Sequence, residues 1–113
     1  MLKKKNIVKF RRDFRELKEK GRLYQSPFFG LVVLKKEDSN ISRFAFIISR
    51  KISKKAVVRN KIRRLLAESV RINLEKIKKG YDFLFLVKKD MVGLKFDEVK
   101  KEVDKVLKKN NFI

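Results

Sequence analysis

Ser49-Arg50-Lys51-Ile52-Ser53-Lys54-Lys55-Ala56-Val57-Val58-Arg59-Asn60-Lys61-Ile62-Arg63-Arg64 is the stretch on which the fold turns. Residues 43–49, leading into it, alternate: Phe44, Phe46 and Ile48 point one way, Ala45, Ile47 and Ser49 the other. That is the period of a strand. Inside the stretch the period lengthens. At about 100° per residue, Ile62, Leu65, Leu66, Ser69, Val70 and Ile77 gather on one face of a helix. Asn60, Arg64, Glu68, Arg71 and Glu75 lie opposite, with Lys61 and Arg63 on the flanks. A strand therefore runs into a long amphipathic helix with a strongly basic beginning.

No acidic residue occurs between Ser39 and Ala67, and eight cations fall between Arg50 and Arg64. Ser53 is a candidate cap, yet Lys54, Lys55, Arg59 and Lys61 crowd the helix end that already carries partial positive charge. Each such cation costs about 0.3–1 kcal/mol in the free protein. Local rules broken without a structural gain mark functional sites. Free backbone N–H groups at a helix start, ringed by Lys and Arg, suit phosphate. Arg adds a planar fork and Asn a donor–acceptor pair, which fits a folded nucleic acid better than a diffuse lipid surface. The C-terminal half of the same helix offers internal pairing, Arg64–Glu68 and Arg71–Glu75 at i, i+4, worth about 0.2–0.5 kcal/mol each.

Outward from this centre the chain reads as one compact α+β domain, residues 10–113, behind a basic arm, residues 1–9. Phe10, Phe14 and Leu17 recur at helical spacing and Gly21 is a stop signal, predicting a helix from about Arg12 to Lys20. Phe28–Leu34 is an apolar run fit for a largely buried strand, followed by turn residues Glu37-Asp38-Ser39-Asn40. That strand and residues 43–49 are expected to pair as an antiparallel hairpin. After Gly80, residues 81–88 alternate as a further strand. Phe96, Val99, Val103, Val106 and Leu107 then make a last helix, with Asp97 and Glu98 at its start and Lys108 and Lys109 at its end, the order that its dipole favours. The order is helix, strands, helix, strand, helix.

Composition narrows the function. The 113 residues include 33 basic and 13 acidic ones, for a net charge of +20. The apolar fraction of 43% still supports a packed core. His and Cys are absent, which removes the commonest general base, the commonest metal ligand and any disulfide. No apolar run reaches the roughly 20 residues needed to span a bilayer, and the N-terminus has no signal-peptide core. A cytoplasmic protein is expected, with neither a membrane nor a small molecule as partner. A DNA-binding helix-turn-helix would need a helix where Phe44–Ser49 alternates. Composition fits a ribosomal or other structural RNA-binding protein as well as any RNA-processing factor.

The segment Ser49-Arg50-Lys51-Ile52 followed by Lys54–Arg64, with Arg59-Asn60-Lys61 at its heart, closely resembles the signature of the bacterial ribonuclease P protein subunit. The likeness extends to Asp13-Phe14 with Gly21 downstream, the strand near Phe29, and the strand and helix after Gly80. It implies a mostly antiparallel sheet with a left-handed βαβ crossover, a hand that general rules disfavour. It also implies binding of ribonuclease P RNA and of precursor tRNA, whose 5′ leader is removed, with Mg²⁺ held mainly by the RNA. Carried onto this chain, Arg59, Asn60, Lys61, Arg63 and Arg64 contact the catalytic RNA, with Arg50, Lys51, Lys54 and Lys55 on the same surface. Phe14 matches an aromatic of the leader cleft, Lys18 stands where a second aromatic is common, and Val32 where a Tyr is common. Lys61 replaces an Arg, and Ser53 stands near a usual Gly. Phe14 has two readings: a stacking ring for the leader, or core packing through Phe10 and Leu17. No catalytic residue and no protein metal site is expected; Asp82 and Asp90, the loop-adjacent carboxylates, have no companion in the sequence.

Overall fold

A computed structural model describes residues 2–37 and 39–113. Met1 of the expected arm and Asp38 of the expected turn lie outside the described residues. Among the described residues, three α-helices and four strands follow in the order α1 (Arg11–Lys20), β1 (Arg22–Gln25), β2 (Phe29–Lys35), β3 (Arg43–Ile47), α2 (Ala56–Asn73), β4 (Tyr81–Val87) and α3 (Phe96–Lys109). The sheet order is β1-β2-β4-β3; only the β3–β4 pair is parallel. The α+β class and the mostly antiparallel sheet stand, and β3–α2–β4 is the expected βαβ unit.

The β2–β3 hairpin does not form. β4 lies between the two strands, with Val33 and Phe44 on either side of Phe83 and Leu31 and Phe46 on either side of Phe85. The reason is burial. Both faces of β4 are apolar, Phe83 and Phe85 on one and Leu84 and Leu86 on the other, so this strand takes the centre, where both faces are covered. The short strand β1, which carries no strong alternation, was not anticipated; it pairs with β2 through Leu23 opposite Val32.

The two faces bury separate cores. On one, Phe29, Leu31, Phe44, Phe83 and Phe85 pack beneath α2 and α3, and the Phe44 and Phe83 rings stack 5.1 Å apart. On the other, Val8, Leu17, Val32, Ala45 and Leu84 pack beneath α1. Of the apolar α1 residues only Leu17 is fully buried; Phe14 is half-buried, and Phe10 is 62% exposed at the helix cap. Part of the expected arm is docked: Val8 donates its N–H to Phe44 O at 3.0 Å, and the buried Asn6 donates its Nδ2 to Ser42 O at 2.8 Å.

Gly21 ends α1, but not by a left-handed turn; its φ is −69°. A Cβ there would lie 2.4 Å from both Leu17 O and Val32 Cγ1. The glycine permits close approach of helix and sheet. Gly21→Ala is expected to lower stability by about 1–3 kcal/mol, read as a lower urea midpoint at unchanged m-value.

Candidate nucleic-acid interface

The basic stretch spans the β3–α2 connection and the first turns of α2. Ile52 N–H bonds Ser49 O at 3.0 Å, closing a turn that leaves Arg50 and Lys51 exposed. The helix begins two residues later than Ser53 suggested. Lys55 is the cap residue, with no side-chain cap and no acid in the first turn. Ser53 instead accepts the Lys55 N–H on its Oγ at 3.2 Å. A cap at Ser53 would have drawn Lys54 and Lys55 into the first turn, where their charge is most costly.

The predicted residues divide by what they touch. Arg59 is half-buried and donates from Nη1 to Ser53 O at 2.8 Å, pinning the connection to the helix. Arg63 donates from Nη1 to Asn60 Oδ1 at 2.8 Å. Arg50, Lys51, Lys54, Lys55, Lys61 and Arg64 are exposed and have no ion-pair partner among the described residues. The pairings expected within α2 are replaced by one. Arg71 closes back on Glu68 at 2.5 and 2.9 Å, because α2 stops at Asn73 and leaves Glu75 outside the helix. Glu68 is accordingly held below its ordinary value, chiefly by the hydrogen bond from Arg71. Arg64 is left to solvent.

An apolar groove of about 520 Å³ runs between this helix and the opposite sheet face. Arg63, Arg64, Ala67 and the Arg71-paired Glu68 of α2 line one side, and Phe14 of α1 lines the other. Ala45 and Phe46 lie beneath, and Leu2, Ile7 and Val8 of the docked N-terminal segment close the side. Val32 is 7% exposed, in the layer beneath Phe14 with Leu17 and Leu84. Lys18 is exposed one turn along α1 from Phe14. The residues of segment 2–8 were missed; the Ile7-Val8 pair within a basic run was the available signal.

The carboxylates are arranged quite differently. Arg43 is bidentate to Asp82, Nε–Oδ1 2.8 Å and Nη2–Oδ2 2.6 Å, and its Nη1 reaches Asp13 Oδ2 at 3.3 Å. Lys36 bonds Glu16 at 2.8 Å and lies 3.7 Å from Asp13. The hydrogen bond to Asp82 is the main reason that the Arg43 guanidinium is held further into its charged range. Asp82 thus has a companion after all, Asp13, but the two share a guanidinium. Among the described residues no three His, Cys, Asp or Glu side chains converge to hold a metal ion.

A family model for ribonuclease P matches residues 2–111. The chain belongs to the ribonuclease P protein family. It is 36% identical to the ribonuclease P protein component of Pelotomaculum thermopropionicum, covering 92% of this chain and 91% of that one. It is 32% identical to that of Alkaliphilus oremlandii, over 96% and 93%. The fold matches the RNase P protein from Thermotoga maritima with a TM-score of 0.82 at 28% identity, over 91% of this chain and 96% of that one. It also matches a Staphylococcus aureus RNase P protein mutant with defective mRNA degradation activity, TM-score 0.90 at 21% identity, over 97% and 92%. Membership makes the chain a subunit of a ribonucleoprotein endoribonuclease of tRNA 5′ processing, and so a partner of RNA. None of its helices is long and apolar enough to cross a membrane, among the described residues.

Proposed function

We propose that this subunit binds the RNA of ribonuclease P through Arg50, Lys51, Lys54, Lys55, Asn60, Lys61 and Arg64, and grips the 5′ leader of precursor tRNA in the Phe14 groove. One observation carries the reading. The uncompensated start of α2 and the apolar groove share a wall, because Arg63 and Arg64 line both. A phosphate-binding surface beside an apolar slot suits a strand whose bases turn inward while its backbone stays on the cationic edge. Arg59 contributes by holding the connection in place.

The exposure of Phe10 and the half-exposed Phe14 ring favour the leader reading of Phe14 over core packing. Lys18 adds charge beside the ring, and Val32 supports it from below. Mg²⁺ is assigned to the RNA: Glu68, the carboxylate that lines the groove, is engaged by Arg71, and Asp13 and Asp82 are engaged by Arg43. The protein's part is to reduce repulsion between two polyanions and to orient the leader, in the bacterial cytoplasm.

The test is reconstitution. The purified chain is expected to restore leader removal by a bacterial ribonuclease P RNA at low Mg²⁺. Leader removal by the polypeptide without that RNA would overturn the reading. Phe14→Ala is expected to weaken precursor tRNA binding by about 1–3 kcal/mol, the worth of one stacked base, while mature tRNA is unaffected. Equal losses for the two, with a lower Tm, would return Phe14 to the core.

A further inference from the structure

Val57 is the most exposed large apolar side chain among the described residues, at 75%. A lone apolar residue on a surface is ordinary, but this one stands at the second position of α2, among unpaired cations. Its neighbour Val58 packs against the core beneath the helix, so the fold uses one valine of the pair and leaves the other in solvent. A β-branched side chain loses rotamer freedom in a helix, and Val57 recovers nothing through burial. The residue therefore works against the free protein, as the cations around it do.

Its surroundings follow from the helix. At about 100° per residue, Val57, Asn60, Lys61 and Arg64 share a face roughly 100° wide, opposite the buried Ile62, Leu66 and Val70. Lys61 and Arg64 stand about 6 and 10.5 Å along the axis from Val57. Neither has an ion-pair partner among the described residues. Val57 is not one of the residues lining the Phe14 groove, so its place is on the RNA-facing side of α2 and apart from the leader.

We infer that Val57 packs against the face of an unstacked base of the ribonuclease P RNA and so sets the register in which phosphates meet Lys61 and Arg64. The inference rests on the start of α2 being the RNA surface, and it adds to that surface a contact that is not electrostatic. Phosphate contacts orient a partner but do not distinguish one nucleotide from the next. A paired RNA helix offers phosphates, 2′-hydroxyls and polar base edges, whereas a base that has left its stack offers an apolar face. Such a base, carried on its own phosphates, is the partner that satisfies a valine and its neighbouring cations together. The positive surround selects this polyanion over an apolar patch of another protein.

The experiment measures binding of a bacterial ribonuclease P RNA to the purified chain and to Val57→Ala, Val57→Ile and Lys61→Ala across a salt series. Val57→Ala withdraws two methyl groups from the contact, which corresponds to about tenfold in affinity. It releases no counterion, so its salt slope should equal that of the parent, while Lys61→Ala should lower the slope by about 0.9. Val57→Ile keeps the apolar contact and should lose much less than Val57→Ala. The unfolding midpoint of Val57→Ala should not fall, since alanine is the better helix former at an exposed position; a structural role would lower it. Affinity of Val57→Ala within about twofold of the parent, while Lys61→Ala loses affinity and slope, overturns the base contact and leaves the RNA surface standing. A slope that falls as far for Val57→Ala as for Lys61→Ala, or an equal loss for Val57→Ile, also overturns it. No change in any variant removes the surface and the contact together.

Discussion

Replacing Lys54, Lys55, Lys61 and Arg64 together with alanine is expected to weaken association with ribonuclease P RNA on the order of a thousandfold at low salt. All four side chains are exposed, and each contact contributes about 1 kcal/mol, the upper end for an exposed ion pair. The salt dependence should flatten in step, by about 0.9 per phosphate contact and so by about 3.6 in all. The same variant should be no less stable than the parent, and slightly more so. Lys54 and Lys55 flank the positive end of α2, where no acid answers them, and each contributes an unfavourable term of about 0.3–1 kcal/mol. Opposite signs for stability and affinity distinguish a binding surface from a structural one. A variant with lowered Tm and retained RNA affinity would sink the assignment.

Arg43→Met should have the largest effect on folding. The substitution leaves Asp82, 1% exposed, and Asp13, 6% exposed, facing each other without the guanidinium between them. Removing one partner of a buried ion pair costs about 3–5 kcal/mol. Arg43 retains 21% side-chain exposure and Lys36 remains near Asp13, so the lower end, about 3 kcal/mol, is the expectation. That is a large share of the 5–15 kcal/mol typical of a whole domain. Combining Arg43→Met with Asp13→Asn and Asp82→Asn should recover most of the loss, because the penalty lies in the orphaned carboxylates. Urea unfolding at constant ionic strength reads both. A loss below about 1 kcal/mol for Arg43→Met, or no recovery in the triple variant, would show that the cluster does not hold α1 to the sheet.

The sites of these two predictions were not equally legible beforehand. The cations of α2 stand within one stretch of sequence, and their lack of neutralising neighbours shows from composition alone. The Arg43 cluster draws on α1, Lys36 just after β2, β3 and β4, and its members are spread over residues 13–82. No local spacing announces it. Asp82 read as an isolated carboxylate, and its pairing became visible only in the register that sets Arg43 opposite it. The misplaced β2–β3 hairpin has the same origin. Strands adjacent in sequence commonly pair, but here a later strand with two apolar faces takes the place between them.

What the sequence determined by itself is the set of elements apart from the short strand β1, the two sides of α2 and the unbalanced charge at its start. These depend on residues within a few turns of one another, and helix or strand periodicity records them directly. Tertiary structure alone decided that β4 separates β2 from β3, that Gly21 serves close packing, and that a segment near the N-terminus walls a groove shared by Phe14 and Arg64. Each of these outcomes is a competition among distant segments for the same buried space, and such a competition leaves no period in the chain.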